Sequence, residues 1–462
     1  MTALAAVDRQ DWRALLGIAV VGGYVTALLA LSNRVGYDVW AGLVIGPVLL
    51  VVGTLVLRRS AQKLGDHWLA QVAVLALVTK LAAAMVRYLV AEVVYGSSDA
   101  TEYDAVGRKM ALAYRALVFT APEERRNLVG TAFVMALTAA LYAITGPTMV
   151  GGYLVFAFGG FWGCYLAYLG LRRAVPGAAH RRYAVLVLFL PTLLYWPSSL
   201  GKDAWMQLWI GVALYGAALI FTHSARGVAV MAAGLAGTAM VRPHIAGLLF
   251  GAFVIAVVFR RSSRQTQLTP VLRVGVLTTL VVLGTLLMQR VAVFTGQEEV
   301  STTAITDAVT ATGVHTSQGG SEFTPVPLSS PIGVPMALVT VLFRPLPFEA
   351  HNAQALLAAV EGLLLLWLTW HYRRSLVTAL RSLRDQPWVT MCLAYTILFC
   401  LAFSAFSNFG ILTRQRAQVL LAFLVLLCLT PAARRSPTGS DPDKVPDQVE
   451  AGLATTPHRN DR

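Results

Sequence analysis

The chain has 462 residues, of which 56% are hydrophobic and only 13% charged, with a formal net charge of +14 and a mean hydropathy of +0.64. So little charge cannot cover a soluble surface of this size, and apolar runs of about 17–25 residues, the length a helix needs to cross the hydrocarbon core, recur along the chain. The short alternating strands of a transmembrane barrel are missing, so the expected class is all-α, a polytopic transmembrane helical bundle of 12–14 spans.

In chain order, Asp8, Arg9, Asp11 and Arg13 precede the first apolar run, and no small-residue cleavage site follows it, which reads as a retained anchor. Spans are expected near 14–31, 38–57, 68–94, 129–146, 150–171, 183–197, 203–222, 227–241, 243–259, 271–293, 334–347, 353–371, 387–407 and 416–431. Three regions follow: an N-terminal transmembrane hairpin over 1–66, a larger transmembrane bundle over 67–431 with outer loops 95–127 and 295–333, and a tail over 432–462. The tail is rich in Pro, Asp, Ser and Thr and is expected to be disordered and cytoplasmic. From Pro431 to Arg462 it carries five basic and five acidic residues, so the positive excess belongs to the membrane body and nucleic acid is not an expected partner. Cys164, Cys392, Cys400 and Cys428 all lie in apolar runs without metal-ligand spacing and read as packing residues.

Basic clusters set the orientation. Arg58-Arg59 with Lys63, Arg172-Arg173 with Arg181-Arg182, Arg260-Arg261 with Arg264, Arg373-Arg374 with Arg381 and Arg384, and Arg434-Arg435 are all placed in the cytoplasm by the positive-inside rule, as are both termini of this multi-pass plasma-membrane protein. The loop 95–127, the turn Pro197–Lys202, Arg242–His244, the loop 295–333, Arg344–Asn352 and Asn408–Arg416 then face outward. If 129–146 and 150–171 both crossed, Arg172-Arg173 would land outside, so one of the pair is expected not to cross completely. Polar groups at membrane depth are costly and line cavities, which predicts one outward cavity on which several loops converge.

The first outer loop holds the catalytic candidates Asp99, Glu102 and Asp104, followed by Arg108 and Lys109. In a helix Asp99 and Glu102 share a face, as do Asp104 and Arg108. A carboxylate at the water–lipid boundary suits a general base that takes a proton from a hydroxyl. Asp99 with Glu102 instead suits a divalent cation, Mg or Mn, held against a phosphate. A solvated loop kept out of the membrane by its charges is the plain alternative.

A transmembrane helix ending in Asp-x-x-x-Tyr with a small residue soon after, here Asp99, Tyr103 and Ala105, resembles the first outer loop of GT-C glycosyltransferases. The stretch Ala140-Leu141-Tyr142-Ala143-Ile144-Thr145-Gly146-Pro147, its helix closing at Tyr168-Leu169-Gly170-Leu171-Arg172-Arg173, and Leu190-Pro191 with the turn Trp196-Pro197-Ser198-Ser199-Leu200-Gly201-Lys202-Asp203 resemble bacterial members in the same order. The resemblance spans about Trp68 to Ile220. It implies a polyprenyl-phosphate-linked sugar donor, a glycan or lipid acceptor, and Asp99 as base or metal ligand. Many GT-C members end in a sizeable soluble outer domain, which this sequence lacks. The chain also resembles membrane proteins of envelope polysaccharide assembly, including Wzy-like polymerases, so the donor is either one sugar on a lipid phosphate or a repeat unit on a lipid diphosphate.

The substrate-binding candidates are Tyr103 and a set of polar groups in the other outer loops. Lys202 and Asp203 adjoin in a short turn with Ser198 and Ser199; they read as a phosphate contact or simply as the first turn of the next helix. Arg242-Pro243-His244 breaks an apolar stretch, and an arginine there needs an anionic partner, a phosphate or Asp99. In Arg344-Pro345-Leu346-Pro347-Phe348-Glu349-Ala350-His351-Asn352, Arg344 suits a diphosphate, and Glu349 and His351 suit sugar hydroxyls or acid–base work. Arg414 and Arg416, read as preceding a helix from Ala417, stand where the positive-inside rule disfavours them. Lys202, Arg242, Arg344, Arg414 and Arg416 are thus expected to form a cationic ring opposite the acidic loop. The loop 295–333, with Glu298, Glu299, Asp307, His315 and Glu322, reads as a flexible lid. Lys80 and Arg87, seven residues apart on one helix face, lack a readable partner. A flippase or transporter of lipid-linked oligosaccharides is the competing class; it calls for polar groups through the full depth of the bundle and for inverted repeats.

Overall fold

Lipid offers no hydrogen-bond partner, so an apolar segment satisfies its backbone by folding as a helix. The computed structural model describes residues 9–96, 98–122, 128–260, 323 and 330–430, and among these the chain is helical with no strand. The helices are α1 (Arg9–Leu31), α2 (Tyr37–Lys63), α3 (His67–Tyr88, continued by a π turn Leu89–Val94), α4 (Asp99–Arg115), α5 (Thr131–Thr145), α6 (Met149–Ala174), α7 (His180–Phe189) and α8 (Pro191–Tyr195). They continue with α9 (Lys202–Phe221), α10 (Arg226–Val241), α11 (Pro243–Phe259), α12 (Gly333–Phe343), α13 (Ala353–His371), α14 (Arg373–Arg381), α15 (Pro387–Phe403) and α16 (Phe409–Leu426). Six of them, α2, α3 with its π turn, α6, α9, α13 and α16, are long and apolar enough to cross a membrane. The expected span 271–293, most of the loop 295–333 and the tail 432–462 lie outside the described residues.

The long central helix α9 is clasped between α6 and α10. Gly163 of α6 and Gly211 of α9 meet backbone to backbone: a Cβ on Gly211 would come within 2.6 Å of Gly163 Cα. Small residues permit this approach, and it lets dispersion contacts and weak interhelical bonds act where no hydrophobic driving force separates helix from lipid.

The basic residues gather at one end of the bundle. Arg172 bonds Asp66 in the α2–α3 turn at 2.7 Å, Arg173 reaches Thr222 after α9, and Arg182 donates to the Leu427 carbonyl after α16. Arg181 lies over Trp68 and Arg182 over Tyr372, while Arg260 meets His223. The opposite end collects the starts of α2, α6, α9, α11, α13 and α16.

Of the two runs that conflicted with the orientation rule, α5 is the one that does not cross. It has 15 residues. The Gly130 amide before it bonds the Met240 carbonyl at the end of α10, and the Tyr37 hydroxyl at the start of α2 bonds the Thr145 carbonyl at its other end. Both ends of α5 therefore sit at the same end of the bundle, where it packs along α4. With α5 lying across the bundle, α6 returns Arg172 and Arg173 to the basic end.

The expected span 183–197 is a broken helix. Leu190 is extended, and Pro191 opens α8 as its first residue. Both ends of the short helix α8 are answered by a buried ion. The Glu361 carboxylate accepts from the Thr192 amide at 2.9 Å and the Thr192 hydroxyl at 2.9 Å. Lys80 Nζ donates to the carbonyls of Leu193 at 2.7 Å and Leu194 at 3.3 Å. Two turns further along α3, Arg87 donates to the Tyr195 hydroxyl at 3.0 Å and lies over Trp196. The shared face of Lys80 and Arg87 thus holds α8 and the turn that follows it.

Two boundaries differ from expectation. Helix α12 stops at Phe343, short of 347, because Arg344 leaves the helix to meet Glu349. Helix α16 starts at Phe409 instead of near 416, because Asn408 caps the Gly410 and Ile411 amides and the polar side chains of the first turns are all paired inside the protein.

Candidate active site

Asp99 is the first residue of α4, and its position is fixed from behind. Ser98 caps α4, with Thr101 closing the capping box. Glu92, in the π turn that ends α3, accepts from the Ser98 hydroxyl at 2.5 Å, the Thr101 hydroxyl at 2.8 Å and the Tyr153 hydroxyl of α6 at 2.8 Å. The chain therefore turns sharply from α3 into α4 with its acidic end held still and its Asp99 side chain 56% exposed.

Arg414, in the second turn of α16, joins Asp99 to the rest of the site. Its Nη2 lies 2.9 Å from Asp99 Oδ2, and its Nε donates to Asp203 Oδ2. Asp203, in the first turn of α9 and nearly buried, also meets Arg242 Nη2 at 3.4 Å. Arg242 in turn donates to Gln415 Oε1, which accepts as well from Gln418 Nε2 at 2.5 Å. Four elements (α4, α9, the α10–α11 break and α16) thus share one alternating chain of acid and base. Lys202 is half-buried beside it, in the field of Asp99, Asp203, Arg242 and Arg414, and makes no hydrogen bond or ion pair among the described residues. Tyr103 is buried beneath, its ring packed on the backbone of Gly201. An alternating chain of this kind fixes its inner charges in place, because removing the buried Asp203 leaves Arg242 without an ion-pair partner and Arg414 with Asp99 alone.

The remaining predicted site residues are employed elsewhere. Asp104 faces α5, where it accepts from the Tyr142 hydroxyl at 2.5 Å and from Arg108 Nε at 2.6 Å. Five residues after Asp99 the helix has turned it about 140° away, so the structure does not bring it together with Asp99. Glu102 is exposed on α4. Arg344 is paired with Glu349 and sits over the rings of Phe323 and Phe409 at 4.8 and 4.9 Å. Burial alone would raise the Glu349 carboxyl, but the Arg344 hydrogen bonds and the Leu346 amide outweigh it and hold the group below its ordinary value. Arg416 is fully buried, its guanidinium donating to the Val341 and Arg344 carbonyls at the end of α12. Of the expected ring, Lys202, Arg242 and Arg414 converge; Arg344 and Arg416 serve the α12 end instead. His244 packs its ring near Phe403, and His351 is exposed.

Among the described residues no group of three or more His, Cys, Asp or Glu side chains comes together as metal ligands. Asp99 and Asp203 are both bound to Arg414, whose charge occupies the position a cation would take between them. The donor set does not suit Mg or Mn. A comparison with protein families, curated proteins and solved structures found no match to the chain.

Proposed function

We propose that the chain is a GT-C-like membrane glycosyltransferase. It moves a sugar from a polyprenyl-phosphate donor to an envelope glycan or lipid acceptor on the outer face of the plasma membrane, with inversion. The observation that carries this reading is the convergence of one accessible carboxylate, Asp99, with Arg414, Arg242 and the unengaged Lys202 at the end of the bundle away from the basic clusters. Asp99 takes the proton as the acceptor hydroxyl oxygen bonds to the anomeric carbon. The bond from that carbon to the phosphate oxygen breaks, and its electron pair leaves on the phosphate. Lys202, with Arg414 and Arg242 behind it, meets the charge that develops there. No step runs through a metal. A Wzy-like polymerase would use the same groups with a lipid diphosphate as leaving group.

One observation favours a second class, a lipid-linked oligosaccharide flippase: the break between α7 and α8 lies within the bundle and is flanked by buried Lys80 and Glu361, as in transporters built on discontinuous helices. Both ions are spent on the ends of the broken helix, which leaves the enzyme reading ahead. The test compares envelope glycans and lipid-linked sugars in a strain lacking the gene, complemented with wild type or Asp99→Asn at matched protein levels. The enzyme reading expects one glycan to vanish with Asp99→Asn while its lipid-linked donor accumulates on the outer leaflet. Accumulation on the inner leaflet supports the flippase, and a normal glycan removes the catalytic role of Asp99.

A further inference from the structure

A cavity of about 240 Å³ opens beside Arg414, between the N-termini of α13 and α16 and the turn after α8. Its lining includes Trp196, Asn352, Gln354, Phe409, Thr413 and Arg414. Two helix N-termini and an arginine would ordinarily suggest an anion, but here those groups are taken. Asn352 Oδ1 caps the Ala355 amide at 2.7 Å, Asn408 caps α16, and Arg414 is bound to both Asp99 and Asp203.

What the cavity still offers is neutral. The Asn352 side-chain amide keeps both N–H donors once its oxygen is used. Gln354 makes no hydrogen bond among the described residues and has donors and an acceptor to give. The Thr413 hydroxyl donates to the Phe409 carbonyl at 2.7 Å and retains its lone pairs. Trp196 supplies an aromatic wall, and Arg87 stacked on the ring at 4.9 Å holds it in place. An aromatic face with a few convergent neutral donors and acceptors matches a ring with one apolar face and a rim of hydroxyls. The volume falls below the roughly 300–1,000 Å³ of pockets for drug-sized ligands, which fits one ring and not an oligosaccharide.

We infer that this cavity is a monosaccharide subsite, which stacks a sugar ring on Trp196 and bonds its hydroxyls to Asn352, Gln354 and Thr413, next to Asp99. The inference rests on the glycosyltransferase reading and deepens it: it separates the sugar subsite from the phosphate contact at Lys202. The test is saturation-transfer NMR on the full-length protein in detergent. The probes are methyl α-glycosides of glucose, mannose, galactose and arabinose, with inorganic phosphate as the anion control. At least one glycoside is expected to bind, to be indifferent to phosphate, to survive Asp99→Asn, and to weaken about tenfold in Trp196→Ala and in Gln354→Ala. Trp196→Phe is expected to restore most of the binding. Gln354 is half-buried at a helix start, so its alanine variant decides the matter should Trp196→Ala fail to fold. The subsite is overturned if no glycoside binds wild type, if binding is unchanged in Gln354→Ala, or if phosphate competes for the same residues. A sugar that binds through these residues in a protein whose Asp99→Asn variant still makes the glycan in cells would keep the subsite and remove the transfer mechanism.

Discussion

The two ends of the bundle are both rich in charge, yet they spend it in opposite ways. At the basic end arginines act one at a time: on a helix-end carbonyl for Arg182, on an aromatic face for Arg181, on a single loop carboxylate for Arg172. At the other end the charges are linked in series: Arg414 and Asp203 each have two partners of opposite sign, and the chain from Asp99 through Arg414 and Asp203 to Arg242 runs into the protein. Charges spread over a rim set orientation and bind weakly to water and headgroups. Charges linked in series and withdrawn from water fix positions, which is what a reacting site requires.

Breaking the linked end has the largest expected effect. Asp203→Ala strands Arg414 and Arg242 together in a buried place and is expected to cost about 3–5 kcal/mol, read as loss of monodisperse protein after extraction and a lower melting temperature. Asp99→Asn, at the exposed end of the same chain, is expected to melt near wild type while losing activity. If the two variants are equally stable, the serial arrangement is wrong.

A smaller effect sharpens the comparison at the edge of the site. Glu349 holds a lowered pKa through Arg344, so its stabilising contribution is complete above the unfolded glutamate value of about 4.3 and fades as pH falls through its lower folded value. Melting curves of wild type and Glu349→Gln are therefore expected to differ by a constant amount at neutral pH and to converge in acid. A gap that widens in acid would contradict the pairing. The smallest effect belongs to the basic end, where Arg181→Gln removes a cation–π contact with Trp68, worth about 0.5–1 kcal/mol, and a through-space attraction to Asp66.

Much of this contrast was legible in the chain. Hydropathy located most helices, and polar groups stranded at span ends singled out Asp99, Lys202, Asp203, Arg242 and Arg414. Helical phase was not legible where a segment reads as a loop. Arg414 and Arg416 look equivalent side by side, but within α16 two residues turn them about 200° apart, one to the site and one to the end of α12. The same phase turns Asp104 toward α5 and away from Asp99. Glu92 escaped notice because it is a single acid in a long apolar run, and only the π turn brings it under the start of α4. Glu361 and Lys80 had no readable role, since their partners are backbone groups at the two ends of α8, a short helix whose start a single proline only hints at.

The account turns on the two ends lying on opposite sides of the membrane, with the linked site outside. The direct measurement is cysteine labelling in intact cells. The four native cysteines are buried, and single cysteines are placed at exposed positions of each end, Ala105→Cys on α4 and Gly177→Cys beside the arginines. A membrane-impermeant maleimide is predicted to label position 105 in intact cells and position 177 only after permeabilisation. Labelling of 177 in intact cells with 105 protected would put the site in the cytoplasm and contradict transfer at the outer face.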